Sequence, residues 1–201
     1  FTYTITDSNG CTNSSTVVVT VEDAPESGNA LAPFEVCEEN VGANSPFDLF
    51  TLLDGTQDTN GTWYLGPDTS GSLATNPIDI STLTDGTYNY TYSVPDIGTC
   101  SDVDVTVQII VFPTPETGTP SAAIFCENDL VANSPLDLFG QLSGEDTGGT
   151  WTDDNTTGAL SGSDVDLTVL TIGSYSFTYT ITDSNGCTNS STVVVTVEDA
   201  P

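Results

Sequence analysis

The chain has 201 residues, of which 29 are acidic and none is Lys, Arg or His, giving a formal charge of −29. Without a basic side chain nothing can neutralise phosphates or an anionic bilayer surface, which excludes nucleic-acid and membrane partners. The same absence removes the Ser-His, Cys-His and Schiff-base routes of catalysis and any lysine isopeptide cross-link, so the chain is read as a non-enzyme.

In chain order, residues 1–22 alternate apolar and polar side chains around Asn9-Gly10 and match the last two strands of a module. Residues 23–32 contain Pro25-Glu26-Ser27-Gly28 and read as a short, proline-stiffened linker. Residues 33–112 form a first complete module, with strands expected over 46–53, 61–65, 77–83, 88–94 and 102–112. Trp63 sits in the second of these, Ile78 and Ile80 share a face of the third, and Tyr88, Tyr90 and Tyr92 share a face of the fourth. Val103, Val105, Val107 and Ile109 alternate with polar partners in the last. Residues 113–121 are a second linker, 122–198 a second complete module, and 199–201 the start of a further linker. Asp153-Asp154-Asn155 reads as a hairpin turn, and Asp79 and Asp166 as matching backbone-bonding positions.

Repetition dominates this organisation. FTYTITDSNGCTNSSTVVVTVEDAP occupies 1–25 and recurs unchanged at 177–201, an offset of 176 residues. Inside it lies a looser repeat of about half that length. ANSPFDLF at 43–50 returns as ANSPLDLF at 132–139, Gly61-Thr62-Trp63 as Gly149-Thr150-Trp151, and GTYNYTYSV at 86–94 as GSYSFTYTI at 173–181. A unit near 88 residues is too long for a solenoid repeat and suits one small domain. The expected polymer is beads on a string, from which Phe1 and Pro201 are arbitrary cuts.

Short strands of period two with turn signals every 8–12 residues predict an all-β chain of tandem immunoglobulin-like β-sandwich domains arranged end to end. About one residue in six is Thr, beside Val, Tyr and Phe, which suits half-buried strands. One Trp near the third strand and Gly-x-Tyr-x-aromatic at Gly86-Tyr88-Tyr90 and Gly173-Tyr175-Phe177 resemble a core tryptophan and a tyrosine corner.

The five cysteines follow the repeat. Cys37 matches Cys126, and Cys11 and Cys100 match Cys187. If the first strand starts at the pole carrying the loop between strands six and seven, the bridges are Cys37–Cys100 and Cys126–Cys187, with the partner of Cys11 outside the chain. Each would contribute about 4 kcal/mol in the chain-entropy model and imply an oxidising, extracellular or cell-surface compartment. Free buried thiols are the alternative. A cysteine metal site lacks CxxC pairs and His.

A charge of this size needs screening by salt or divalent cations. Calcium suits hard oxygen ligands, and the sandwich model brings Glu22, Asp23 and Glu26 toward Glu38, Glu39, Asp96 and Asp102 at one domain junction. Glu116, Glu127, Asp129 and Asp183 form a poorer set at the next. A diffuse acidic surface is the competing reading.

The sequence G-T-W, then G-[ST]-Y-x-[FY]-T-Y-[ST]-[IV], then D-x-N-G-C-T or a variant, then an alternating strand and P-E-x-G, is similar to the Ig-like repeat modules of very large surface proteins of Bacteroidota, gliding-motility adhesins among them. The resemblance implies a secreted, multi-repeat stalk or filament with structural or adhesive work. Its implied partners are further copies of itself or further repeats of the same chain, with a surface receptor or polysaccharide as the alternative. This chain departs from the pattern in losing every basic residue.

Overall fold

A computed structural model describes residues 1–200, so the further linker expected at 199–201 includes one residue, Pro201, outside the described part. The chain is all-β; among the described residues there are fourteen strands, and the longest α-helix is the single turn Leu130–Asn133. It divides into two compact units, one of residues 1–34, 46–79 and 88–109, the other of residues 35–45, 80–87 and 110 onward.

The first unit opens with a hairpin of β1 (Thr2–Thr6) and β2 (Thr12–Thr16), antiparallel with Thr2 opposite Thr16 and Ile5 opposite Asn13. A five-stranded sheet, most but not all of whose residues belong to this unit, has the order β3-β7-β6-β4-β5, built from β3 (Phe34–Cys37), β4 (Thr62–Leu65), β5 (Leu73–Ala74), β6 (Gly86–Val94) and β7 (Val103–Phe112). Alternation decides which side chains it buries. Tyr90, Tyr92, Val94, Val107, Ile109 and Val111 face inward.

The second unit shows the sandwich directly. One sheet has the order β10-β13-β14-β8, from β8 (Ala123–Cys126), β10 (Thr150–Asp153), β13 (Gly173–Thr182) and β14 (Thr188–Glu198). The other has the order β11-β12-β9, from β9 (Leu136–Asp137), β11 (Leu160–Ser161) and β12 (Asp164–Val165). Leu138, Val165 and Leu167 on the small-sheet side meet Phe177, Tyr179, Val193 and Val195 from β13 and β14 in one core. β8 runs parallel to β14, with Ala123 opposite Val195 and Cys126 opposite Glu198.

Each repeat centres on the same aromatic triad. Phe50, Trp63 and Tyr92 have ring centroids 4.9–5.6 Å apart. Phe139, Trp151 and Tyr179 stand at 5.2–5.7 Å. The buried tyrosine hydroxyls are satisfied identically. Tyr92 Oη donates to the Asp58 carbonyl (2.7 Å) and accepts from the Gly61 amide (2.9 Å). Tyr179 Oη donates to the Asp146 carbonyl (2.7 Å) and accepts from the Gly149 amide (2.9 Å). These ring contacts require glycine, since a Cβ on Gly61 would stand 2.5 Å from Tyr92 Cζ and one on Gly149 2.6 Å from Tyr179 Cζ. The tyrosine-corner reading also has its bond: Tyr175 Oη donates back to the Thr171 carbonyl at 2.9 Å.

Several expected elements differ. The strand over 46–53 is instead a 3-10 helix, Leu49–Leu52, because the Asp48 carboxylate accepts from the Phe50 amide and caps it. Asp137 does the same for Leu138–Gln141, and Asp166 for Leu167–Val169. Over 77–83, only Ile78 pairs as a strand residue, with Phe47, before the chain turns. Mixed apolar period over 46–53 reflects a buried one-turn helix rather than a strand.

The P-E-x-G segments are bound along most of their length. Pro25 is buried, the Glu26 amide donates to Asp58 Oδ2 (3.0 Å), and the Asn29 side-chain amide donates to Asp54 Oδ2 (2.7 Å). In the second repeat the Glu116 amide donates to Asp146 Oδ2 (3.0 Å), and Asn189 Nδ2 donates to the Pro115 carbonyl (2.9 Å). Both segments are therefore hydrogen-bonded within their own repeats.

Candidate functional site

The site is set by where β3 and β8 end. Cys37 closes β3 with φ −77° and ψ 146° and precedes the 3-10 helix Glu38–Asn40. Cys126 closes β8 with φ −78° and ψ 146° and precedes the 3-10 helix Glu127–Asp129. The loop between β13 and β14 presents Cys187 in a fixed turn. Asp183 Oδ1 accepts from the amides of Asn185 and Cys187, each at 2.9 Å. The loop of the first hairpin has the same form around Cys11, with Asp7 Oδ1 accepting from Asn9 (2.9 Å) and Cys11 (2.8 Å). Burial would raise the Asp183 carboxyl, but the Cys187 and Asn185 amides outweigh it and hold the group below its usual range.

Cys37 is joined to Cys187 by a disulfide with Cα atoms 5.5 Å apart and 150 residues of separation. Both cysteines belong to the second compact unit. This corrects the pairings Cys37–Cys100 and Cys126–Cys187, since Cys100, Cys126 and Cys11 are free thiols. The register explains the error. Cys126 lies opposite Glu198 at the end of β14, whereas Cys187 immediately precedes its start. Eleven residue steps along the strand separate those points, about 36 Å, and a disulfide needs Cα atoms within roughly 7 Å. The expected pairings need the cysteine at the start of the first strand. Cys37 instead ends β3 and Cys126 ends β8.

Glu39 stands beside the disulfide. Its Oε2 accepts from Thr114 Oγ1 at 2.7 Å. Cys37, Glu39 and Cys187 are the one group of three potential ligand residues gathered within 4.8 Å among the described residues, and two of the three atoms are disulfide sulfurs. A bonded sulfur is not the thiolate that ligates metals. Of the other expected carboxylates, Glu22 lies over Gly98, where it leaves no room for a Cβ. The backbone amides of Glu26 and Glu116 donate to Asp58 and Asp146, and the Asp183 carboxylate accepts within its own loop. Glu38, Glu127 and Asp129 are in the one-turn helices, and Asp23, Asp96 and Asp102 lie outside strands and helices. Asp153 accepts from the Asn155 and Gly158 amides, as expected of a turn.

No protein-family model and no curated protein matches the chain. Solved structures similar to it include a Ca2+-stabilized adhesin with which an Antarctic bacterium reaches out and binds ice, at 15% identity and TM-score 0.40 over 97% of this chain and 55% of that one. The chain thus spans about half of that structure. Human protocadherin-24 EC1–2 is similar at 16% identity and TM-score 0.32, over 85% of this chain and 100% of that one. A mouse clustered protocadherin EC1–3 is similar at 14% identity and TM-score 0.34, over 98% and 77%.

The residues the sequence reading missed are Asp54 and Asp58, which bind the P-E-x-G edge, and the Cys37–Cys187 partnership itself. No helix is long and apolar enough to cross a membrane among the described residues.

Proposed function

We propose that the chain is a structural repeat region of an extracellular filament or cell-surface stalk, in which non-catalytic sandwich modules follow one another and supply reach. One observation carries this reading. Residues 1–17 form the same hairpin, in the same register, as the identical residues 177–193. Yet Phe1 is 90% exposed and Tyr3 72%, while Phe177 and Tyr179 are fully buried in their module. An apolar face of this kind is supported by the strands of a module, and further copies of the repeat contain those strands. Residues 1–22 are accordingly read as the closing strands of such a module, with 33–112 and 122–198 as its successors.

The disulfide favours an oxidising, extracellular setting. Calcium enters this reading as one of the cations that screen a charge of −29, because the carboxylates of Glu39 and Asp183 already accept hydrogen bonds from the chain itself. Negatively stained micrographs of the oxidised parent polymer test the proposal: extended rods or bundles are expected, and compact particles would refute it.

A second reading, a repeat that itself binds carbohydrate, draws on a cavity of about 550 Å³ lined by Phe139, Trp151 and Leu160 beside Gly162 and Ser163. Quenching of Trp fluorescence by oligosaccharides, lost in Trp151→Phe, would favour it over the stalk.

A further inference from the structure

The cysteines left free are of the same two kinds as the pair that is joined. Cys126 has the backbone conformation and the following one-turn helix of Cys37. Cys100 sits in the hairpin loop that corresponds to the Cys187 loop, where it exchanges hydrogen bonds with Ile97 (Cys100 N to Ile97 O 2.9 Å, Ile97 N to Cys100 O 3.1 Å). Both free thiols are partly exposed.

The spacing fits the same rule. Cys37 of one repeat is joined to the loop cysteine of the next, 150 residues on. Displacing Cys100 by the 176-residue super-repeat places it 150 residues after Cys126 as well. Displaced the other way, Cys126 precedes Cys100 by that same interval. One connection therefore accounts for every cysteine in the super-repeat, and the odd Cys11 is the copy of Cys187.

We infer that Cys126 forms a disulfide with Cys100 of a further copy of this chain, so that consecutive repeats are joined by an unbroken series of bridges from strand end to hairpin loop. The inference rests on the reading of the chain as a run of extracellular repeats. Its test reads cysteine connectivity rather than extension, so the two can fail separately.

The chemistry is thiol–disulfide exchange with a small-molecule disulfide such as oxidised glutathione. The Cys126 thiolate attacks the glutathione disulfide and releases one glutathione thiolate, leaving a mixed disulfide. The Cys100 thiolate then attacks the Cys126 sulfur and releases the second. Two protein thiols are oxidised, one glutathione disulfide is reduced to two thiols, and the two protein protons pass to the released thiolates or solvent. The bond runs from one kind of site to another, so each added copy leaves a free Cys126 at one end and a free Cys100 at the other from which an open chain can grow.

The experiment uses the full chain carrying Cys11→Ser, which removes the third free thiol at an exposed site. The chain is oxidised in a glutathione buffer at high protein concentration and high salt. Products are separated without reductant and digested with an Asp/Glu-specific protease for mass mapping. A ladder of dimers, trimers and higher species containing Cys126–Cys100 peptides is expected. Adding Cys126→Ser or Cys100→Ser should stop the ladder while far-ultraviolet circular dichroism stays unchanged. Monomers only, Cys126–Cys126 or Cys100–Cys100 peptides in place of the mixed pair, or a bridge within one chain would each overturn the inference.

Discussion

Cys126 stands opposite Glu198 across the parallel pair β8–β14, at the far end of β14 from Cys187. The bridge to Cys187 comes instead from Cys37, 150 residues earlier. Closing a loop of that length lowers the entropy of the unfolded chain by an amount worth about 5 kcal/mol in the chain-entropy model. The variant Cys37→Ser/Cys187→Ser should lose stability up to that amount in urea denaturation, and Cys126→Ser in the monomer should lose almost none. Equal losses in the two would contradict the assignment.

The tyrosine hydroxyls at the centre of each repeat give a matched pair of tests. Tyr92→Phe strands the Gly61 amide and the Asp58 carbonyl, and Tyr179→Phe strands those of Gly149 and Asp146. Each should cost about 1–3 kcal/mol by denaturant titration. Gly61→Ala should cost at least as much, since its Cβ would collide with the Tyr92 ring.

How legible was this in the sequence? Period-two alternation in 86–94 and 173–181 gave the long strands, and the recurring Gly-Thr-Trp located the core tryptophans, because both signals are local. The segment around Leu49 reads as a strand in the sequence because an Asp cap and a buried leucine can serve a one-turn helix as well as a strand. Cysteine pairing was illegible for a different reason. It depends on which end of an edge strand a residue occupies, and only the Cys126–Glu198 register settles that.

Acid should destabilise the protein in a defined window. Hydrogen bonds from the Asn29 side chain and Thr56 hold the Asp54 carboxyl below its usual range, the Ser70 hydroxyl does so for Asp68, and the Thr168 hydroxyl for Asp166. A depressed folded value contributes stability that is complete above the unfolded value, near 4, and is lost as pH falls below it. Unfolding free energy measured from pH 6 to pH 2 should decline below about pH 4, less steeply in Asp54→Asn.

At the alkaline end the sign reverses. Burial, with Tyr88 nearby, raises the Tyr90 hydroxyl, and burial also raises Tyr92. A raised acid contributes stability that is complete below the unfolded value near 10 and is lost as pH rises through the folded one. Tyrosinate absorbance at these positions should therefore rise together with unfolding above pH 10, and titration of Tyr92 in a chain that remains folded would refute this.

Cations should act through ionic strength. NaCl is expected to raise the melting temperature by screening a charge of −29, and CaCl2 at equal ionic strength to raise it no further. A larger rise with CaCl2, reversed by a chelator, would reveal a specific calcium site.

The Cys37–Cys187 bond also redirects mechanical load. A pull on the chain that enters at Cys37 can leave at Cys187 through one sulfur–sulfur bond, bypassing the 150-residue stretch of backbone between them. That stretch holds about 500 Å of contour length at full extension. Stretched under oxidising conditions the strand would behave as an inextensible tether, and a reductant would turn it into a shock absorber.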